Sequence, residues 1–134
     1  MKKLLHILLG LIIVLCLGAC GEIIPPENDI DVSKLYGKWQ EGSVFERYYE
    51  HPIERVLITG DTVHANGSTW DESEDVGEDE AQLFNWTLTG STLKHEHAGV
   101  FVTVPKIYTV TSLTSSSLVY QDDFGVTHHF SKVE

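Results

Sequence analysis

Cysteine is scarce in this chain: among 134 residues there are only Cys16 and Cys20. Both lie near the N-terminus, so the remaining sequence has no thiols from which to form a disulfide. Small secreted domains often rely on disulfides because their cores are small. The folded part of this chain must therefore be stabilised by its own core, and it contains no cysteine nucleophile.

Basic residues are also few, with nine Lys and Arg against 20 Asp and Glu and a formal net charge of −11. Phosphate backbones repel a chain this acidic, so we expect no nucleic-acid partner. Sustained helical periodicity is missing as well, which argues against a helical bundle.

The single long apolar run covers residues 4–17 and follows Met1-Lys2-Lys3. Only 16 residues separate Lys3 from Cys20, whereas a membrane span needs roughly 20 apolar residues. A positive start, a short apolar core and small residues at its end are typical of a secretory signal peptide. We therefore interpret residues 1–19 as a signal peptide.

Leu17-Gly18-Ala19-Cys20 resembles the bacterial lipobox. The resemblance implies that Cys20 carries fatty acyl chains, such as palmitate, and that membrane contact is made through this lipid. Gly21 stands where an Asp would favour inner-membrane retention, so we expect a lipid-anchored protein of the outer membrane, facing either the periplasm or the surface. Residues 20–34, which include Pro25-Pro26, are predicted to be a flexible linker.

Residues 35–134 are predicted to form one domain built from short strands. Phe84, Trp86 and Leu88 alternate with polar residues, the period-two pattern of a half-buried strand. Asn66-Gly67 and Gly60-Asp61 are typical of hairpin turns. The spacing predicts eight to ten strands and an all-β fold, an antiparallel up-and-down barrel of about eight strands. Residues 44–49 and 53–59 are predicted to be separate strands, as are residues 100–104 and 107–112.

Several motifs in this order resemble the small lipocalin-like lipoproteins of bacteria. They are Leu35-Tyr36-Gly37-Lys38-Trp39, a W-x-x-x-G-x-x-L hairpin within residues 84–93, a Y-x-V-x-x-L-T-x-x-x-L-V hairpin over residues 108–119, and a terminal Phe130-Ser131-Lys132-Val133. The resemblance implies an envelope protein that binds a small apolar molecule. The late Arg that covers the first-strand Trp in that family is absent, and Lys132 is the candidate to cover Trp39.

Four aromatic residues are the candidates for the barrel interior: Trp39, Trp86, Tyr108 and Tyr120. They either line a ligand cavity or simply fill the core, because aromatic side chains bury large areas in both cases. A void well above the volume of one water would favour ligand binding. A filled interior would favour a structural or inhibitory accessory protein that acts on an envelope partner through its surface.

Two metal hypotheses remain open. His95 and His97 share one strand face and could bind Zn²⁺ if His128, His129 or an acid supplied a third ligand. Residues 71–80 contain seven acids and could bind Ca²⁺ weakly, although like charges would also keep the segment solvated. Otherwise we expect no cofactor.

Thr62, in Asp61-Thr62-Val63, resembles an acceptor for bacterial O-glycosylation. No Gly-x-Ser-x-Gly elbow accompanies the serines, so we expect a monomeric binding protein rather than an enzyme.

Mass spectrometry of the protein purified from its native host tests the N-terminal interpretation. We expect the chain to begin at an acylated Cys20, to lack residues 1–19, and to reveal any glycan on Thr62. A native soluble form that still begins at Met1 would contradict it.

Overall fold

A computed structural model of the chain describes residues 30–98 and 102–134. The predicted signal peptide, Cys20 and most of the predicted linker lie outside the described residues. The described part begins at Ile30, which already packs against the core.

The fold is a closed barrel of eight antiparallel strands, each paired with its neighbour in the sequence, and β1 paired with β8. This confirms the predicted lipocalin-like up-and-down architecture. The strands are β1 (Gly37–Glu41), β2 (Val44–Val56), β3 (Thr62–Asp71), β4 (Gln82–Thr89), β5 (Thr92–Ala98), β6 (Thr103–Leu113), β7 (Ser117–Gln121) and β8 (Thr127–Lys132).

Helical structure in the described ranges is limited to three 3₁₀ turns, Val32–Lys34, Glu72–Glu74 and Glu78–Glu80. Among these residues no helix has the length and apolar character needed to cross a membrane.

The two ends of the barrel differ. Because neighbouring strands run in opposite directions, β1, β3, β5 and β7 all end at one end of the barrel, which we call the mouth. The chain enters β1 at the opposite end, which we call the base. Any N-terminal tether therefore reaches the barrel at its base.

Large apolar side chains fill the base of the barrel. Trp39 and Leu35 are fully buried there, and the Trp39 indole N–H donates to the Leu35 carbonyl at 2.8 Å. The Lys132 ammonium lies 5.1 Å from the centre of the Trp39 ring and donates to the Lys34 carbonyl at 3.0 Å. The expectation that Lys132 covers Trp39 is confirmed.

Two pairs of predicted strands are single strands in the structure. Residues 44–49 and 53–59 were expected to be separate, but β2 runs from Val44 to Val56, with a shift in register between Tyr48 and Ile53. Pro52 lies in this irregular stretch, where its missing N–H leaves no ladder partner unsatisfied. The predicted strands at 100–104 and 107–112 likewise correspond to β6, which passes through Pro105; Val100 lies outside the described residues.

The hairpin turn predicted at Asn66-Gly67 is wrong, since both residues lie inside β3. Gly67 is required there because a Cβ atom would come within 2.2 Å of the Phe84 ring. The Asn66 side chain adds two hydrogen bonds to the backbone of β4. Its amide oxygen accepts from the Trp86 backbone N–H at 2.8 Å, and its amide nitrogen donates to the Trp86 backbone carbonyl at 3.1 Å.

The acidic segment at residues 71–80 is held against the outer wall of the barrel. Glu78 pairs with Arg47 at 2.5 Å and with Lys38 at 3.5 Å, and the Arg55 guanidinium donates to the Ala81 carbonyl at 2.8 Å. The segment covers Phe45 and Trp70, whose rings stack at 5.2 Å. Residues 72–75, 79 and 80 are exposed, as expected for a solvated segment, whereas Val76 and Glu78 contact the barrel wall, where basic side chains neutralise part of the charge.

Gly67→Ala should destabilise the protein by about 1–3 kcal/mol, because the added methyl group overlaps the Phe84 ring. Urea denaturation measures this. Combining the change with Phe84→Leu, which makes room for the methyl group, should give a smaller loss than the sum of the two single losses. Strict additivity would contradict the close packing between β3 and β4.

Candidate functional site

A cavity of about 520 Å³ opens at the mouth of the barrel. Its volume falls within the roughly 300–1,000 Å³ that is typical of small-molecule sites. Its lining combines aromatic rings with carboxylates and histidines: Glu41, Val44, Glu46, Thr69, His97, Pro105, Lys106, Ile107, Tyr108, Tyr120, Asp122, Asp123, Phe124, His128 and Phe130.

Glu46 is the most unusual residue of this lining, because its carboxylate is inside the barrel. The residue is 6% exposed. Its two oxygens accept hydrogen bonds from the Tyr48 hydroxyl at 2.6 Å and the Tyr120 hydroxyl at 2.8 Å. Burial raises the pKa of Glu46, although the hydrogen bonds from Tyr48 and Tyr120 oppose the rise.

A third residue extends this hydrogen-bond chain. The Tyr48 hydroxyl uses its only hydrogen to donate a hydrogen bond to Glu46. Its oxygen, 3.0 Å from His95 Nε2, therefore accepts a hydrogen bond from the His95 ring. Burial lowers the pKa of His95 well below its usual value, and the nearby His97 adds to this shift. His95 is therefore a neutral ring protonated at Nε2, and it also stacks on Phe84 at 4.1 Å.

His97 is buried at the cavity wall without a hydrogen-bond partner. It is 4% exposed, and neither ring nitrogen has a partner among the residues that the structure describes. Burial lowers the pKa of His97 to about 4, with a smaller contribution from Lys106. The ring therefore presents one N–H donor and one acceptor nitrogen at neutral pH.

His128 lies at the rim between two carboxylates. Its Nδ1 is 3.0 Å from Glu41 and its Nε2 is 3.0 Å from Asp122. Burial lowers the pKa of His128, but the hydrogen bonds to Asp122 and Glu41 outweigh this and the net shift is upward. The arrangement suits an imidazolium that donates from both nitrogens.

All four predicted interior aromatics belong to the packed core or pack against it, and two of them also line the cavity. Tyr108 and Tyr120 line the cavity, with ring centres 4.4 Å apart. Trp39 and Trp86 belong to the packed core, and the Trp86 indole N–H donates to the Asn66 carbonyl at 2.7 Å.

The metal hypotheses gain no geometric support. His95 and His97 do face the same side of β5, with ring centres 5.7 Å apart. Across residues 30–98 and 102–134, however, no three His, Cys, Asp or Glu side chains are arranged to hold a metal ion. Zinc at the histidine pair and calcium at residues 71–80 remain predictions. Thr62 is exposed at the start of β3, where its glycosylation also remains a prediction.

Glu46 was missed by the sequence analysis, although a signal for it was present. Val44, Glu46 and Tyr48 alternate with Phe45 and Arg47, so period two puts Glu46 on the same face as Tyr48. That face is the barrel interior. Charge alone gave no reason to select one acid among 20.

No family model, no curated protein and no solved structure matches this chain.

The buried state of His97 predicts a pH dependence. The pKa of His97 is about 4 in the folded protein against a usual value of 6.5. Between these pH values the unfolded chain binds more protons, so this contribution to stability is complete above about pH 6.5 and is lost as pH falls towards 4.

We expect the His97 ring to stay neutral to about pH 4.5 in an NMR titration. Relative to His97→Gln, wild type should lose on the order of 2 kcal/mol of unfolding free energy between pH 6.5 and 4.5. Subtracting the unfolding free energies of His97→Gln from those of wild type cancels the contribution of Glu46, which both proteins share. That contribution has the opposite sign, because the pKa of Glu46 is raised. Protonation of His97 near pH 6.5 would contradict the burial argument.

Proposed function

We propose that this protein is a lipid-anchored binding module of the cell envelope that takes a small ligand into the mouth of its barrel. The observation that carries the proposal is the cavity of about 520 Å³ lined by Tyr108, Tyr120 and Glu46. A void of this size greatly exceeds the roughly 30 Å³ of one water in the liquid.

The direction of the chain supports a role at a membrane. The N-terminal segment joins β1 at the base, and the cavity opens at the opposite end. With Cys20 as the lipid anchor, the tether joins the barrel at the end opposite the mouth and leaves the mouth unobstructed. Ligand can then reach the cavity from solution while the module stays attached to the outer membrane.

Membership in the lipocalin-like lipoprotein family is part of the same proposal. The closed barrel and the position of Lys132 over Trp39 support it. In this proposal the protein acts as a monomer and binds a ligand rather than catalysing a reaction.

The alternative is an accessory protein that acts through its surface, and the filled base of the barrel favours it. The two functions differ in what they require of the mouth. A surface-acting protein tolerates a blocked cavity, whereas a ligand carrier does not.

Three probes of similar shape and different charge test cavity binding: 2-phenylethylamine, 2-phenylethanol and 3-phenylpropionate. The full chain is embedded in nanodiscs, and binding is measured by equilibrium dialysis with empty nanodiscs as the blank. We expect at least one probe to bind. Val44→Trp, which adds a large ring to the cavity wall, should abolish that binding.

Thr87→Trp is the matched control, because Thr87 is exposed on β4 and is absent from the cavity lining. It should bind the probe as wild type does. Binding of none of the three probes, or equal binding by Val44→Trp and wild type, would refute a ligand site at the mouth.

A further inference from the structure

The charges around the cavity do not balance. Glu41, Glu46, Asp122 and Asp123 face it, against Lys106 and His128. His128 is already held between Glu41 and Asp122 at the rim. An excess of negative charge therefore remains inside the mouth.

This excess is centred on Glu46, which has no cation in direct contact; the His128 imidazolium lowers the pKa of Glu46 from a distance, but burial raises it by more. Among the described residues, Glu46 forms no salt bridge within 4.0 Å. The two buried histidines, His95 and His97, are neutral because burial lowers their pKa. A buried carboxylate without a paired cation carries a large desolvation cost, and two tyrosine hydroxyls offset only part of it.

Glu46 also has unused acceptor capacity. Each carboxylate oxygen accepts from one tyrosine and keeps a further lone pair. His97 adds a second, independent group that lacks a partner: it is buried, its ring nitrogens are unpaired among the described residues, and it lines the cavity. Both residues therefore have unused hydrogen-bonding capacity at the cavity wall.

Aromatic rings line the same space. Tyr108 and Tyr120 lie with ring centres 4.4 Å apart, and Phe130 lies 5.3 Å from Tyr120. Rings of this kind attract a desolvated cation through their negative faces. Phe124 is 93% exposed at the rim and could cover the apolar part of a ligand.

We propose that the ligand is a small organic cation, a protonated amine with an apolar body, held with its ammonium group against Glu46. The inference rests on the proposed function of the cavity. The ammonium N–H groups donate to Glu46 and to the unprotonated nitrogen of His97, whose ring turns towards the cavity to accept. The rings of Tyr108 and Tyr120 lie beside the charge, and the apolar body extends towards Phe124.

The preference of wild type among the three probes tests this without any variant. 2-Phenylethylamine should bind about tenfold or more tightly than 2-phenylethanol, because only the amine supplies a charge to pair with a buried carboxylate. 3-Phenylpropionate should bind most weakly. If the alcohol or the acid binds as tightly as the amine, the cavity is a ligand site of another chemical class and the inference is refuted while the proposed function stands.

Glu46→Gln and Asp123→Asn form a matched pair, since each removes one negative charge from a residue that lines the cavity. Glu46→Gln should weaken amine binding about tenfold or more and leave alcohol binding within twofold, because only a buried charge pair is lost. Asp123→Asn should change amine binding less than threefold, because Asp123 is exposed and solvent screens its charge.

Circular dichroism melting curves check that both variants fold. If Glu46→Gln does not fold, two measurements on wild type decide whether the amine pairs with Glu46: the ranking of the three probes and the salt dependence of amine binding. Amine binding that survives 0.5 M NaCl within threefold supports a buried ion pair, whereas loss of binding in salt indicates attraction by the rim alone and overturns the assignment to Glu46.

Discussion

Closure of the sheet between its first and last strands is the constraint on which the rest of the molecule depends. The ladder between β1 and β8, which we call the seam, is short and pairs Trp39 with Lys132 and Gln40 with Ser131. The chain terminus lengthens it, since the Lys38 N–H donates to the Glu134 carbonyl at 2.9 Å. Gly37 permits this approach, because a Cβ atom there would lie 2.4 Å from that oxygen. With the seam open, there would be neither an interior nor a cavity.

The seam also lies beside the boundary between the filled base and the open mouth. Trp39, which pairs with Lys132 across the seam, lies in the filled base beneath that ammonium group. Glu46, directly opposite Trp39 on β2, marks the change from packed core to open mouth. One cross-strand pair thus joins an apolar residue that stabilises the closed barrel to a charged residue that costs free energy when buried.

The sequence predicted those features in which local pattern and tertiary structure agree. Alternation at Phe84, Trp86 and Leu88 led to a half-buried strand and then to a barrel, because one apolar face per strand needs a single closed core. The hairpin turn predicted at Asn66-Gly67 is wrong because here local pattern and tertiary structure disagree. Its local turn preference is overridden by the Phe84 ring, a contact from another strand. The contact of Glu78 with the barrel wall was missed for a similar reason, since the cations that hold this residue lie on β1 and β2.

The candidate site was only half predictable, for a related reason. Tyr108 and Tyr120 were selected as interior aromatics by their strand positions, and they line the cavity. Glu46 was not selected, because interior position and ionisable chemistry normally exclude each other. That conflict is itself informative: sequences are locally consistent where only folding matters, and they break the rule where a site is required. A buried glutamate on the interior face costs stability, and a ligand that brings positive charge to it would remove that cost. The burial that makes the carboxylate unfavourable would then strengthen binding, because the ion pair forms where water does not screen it.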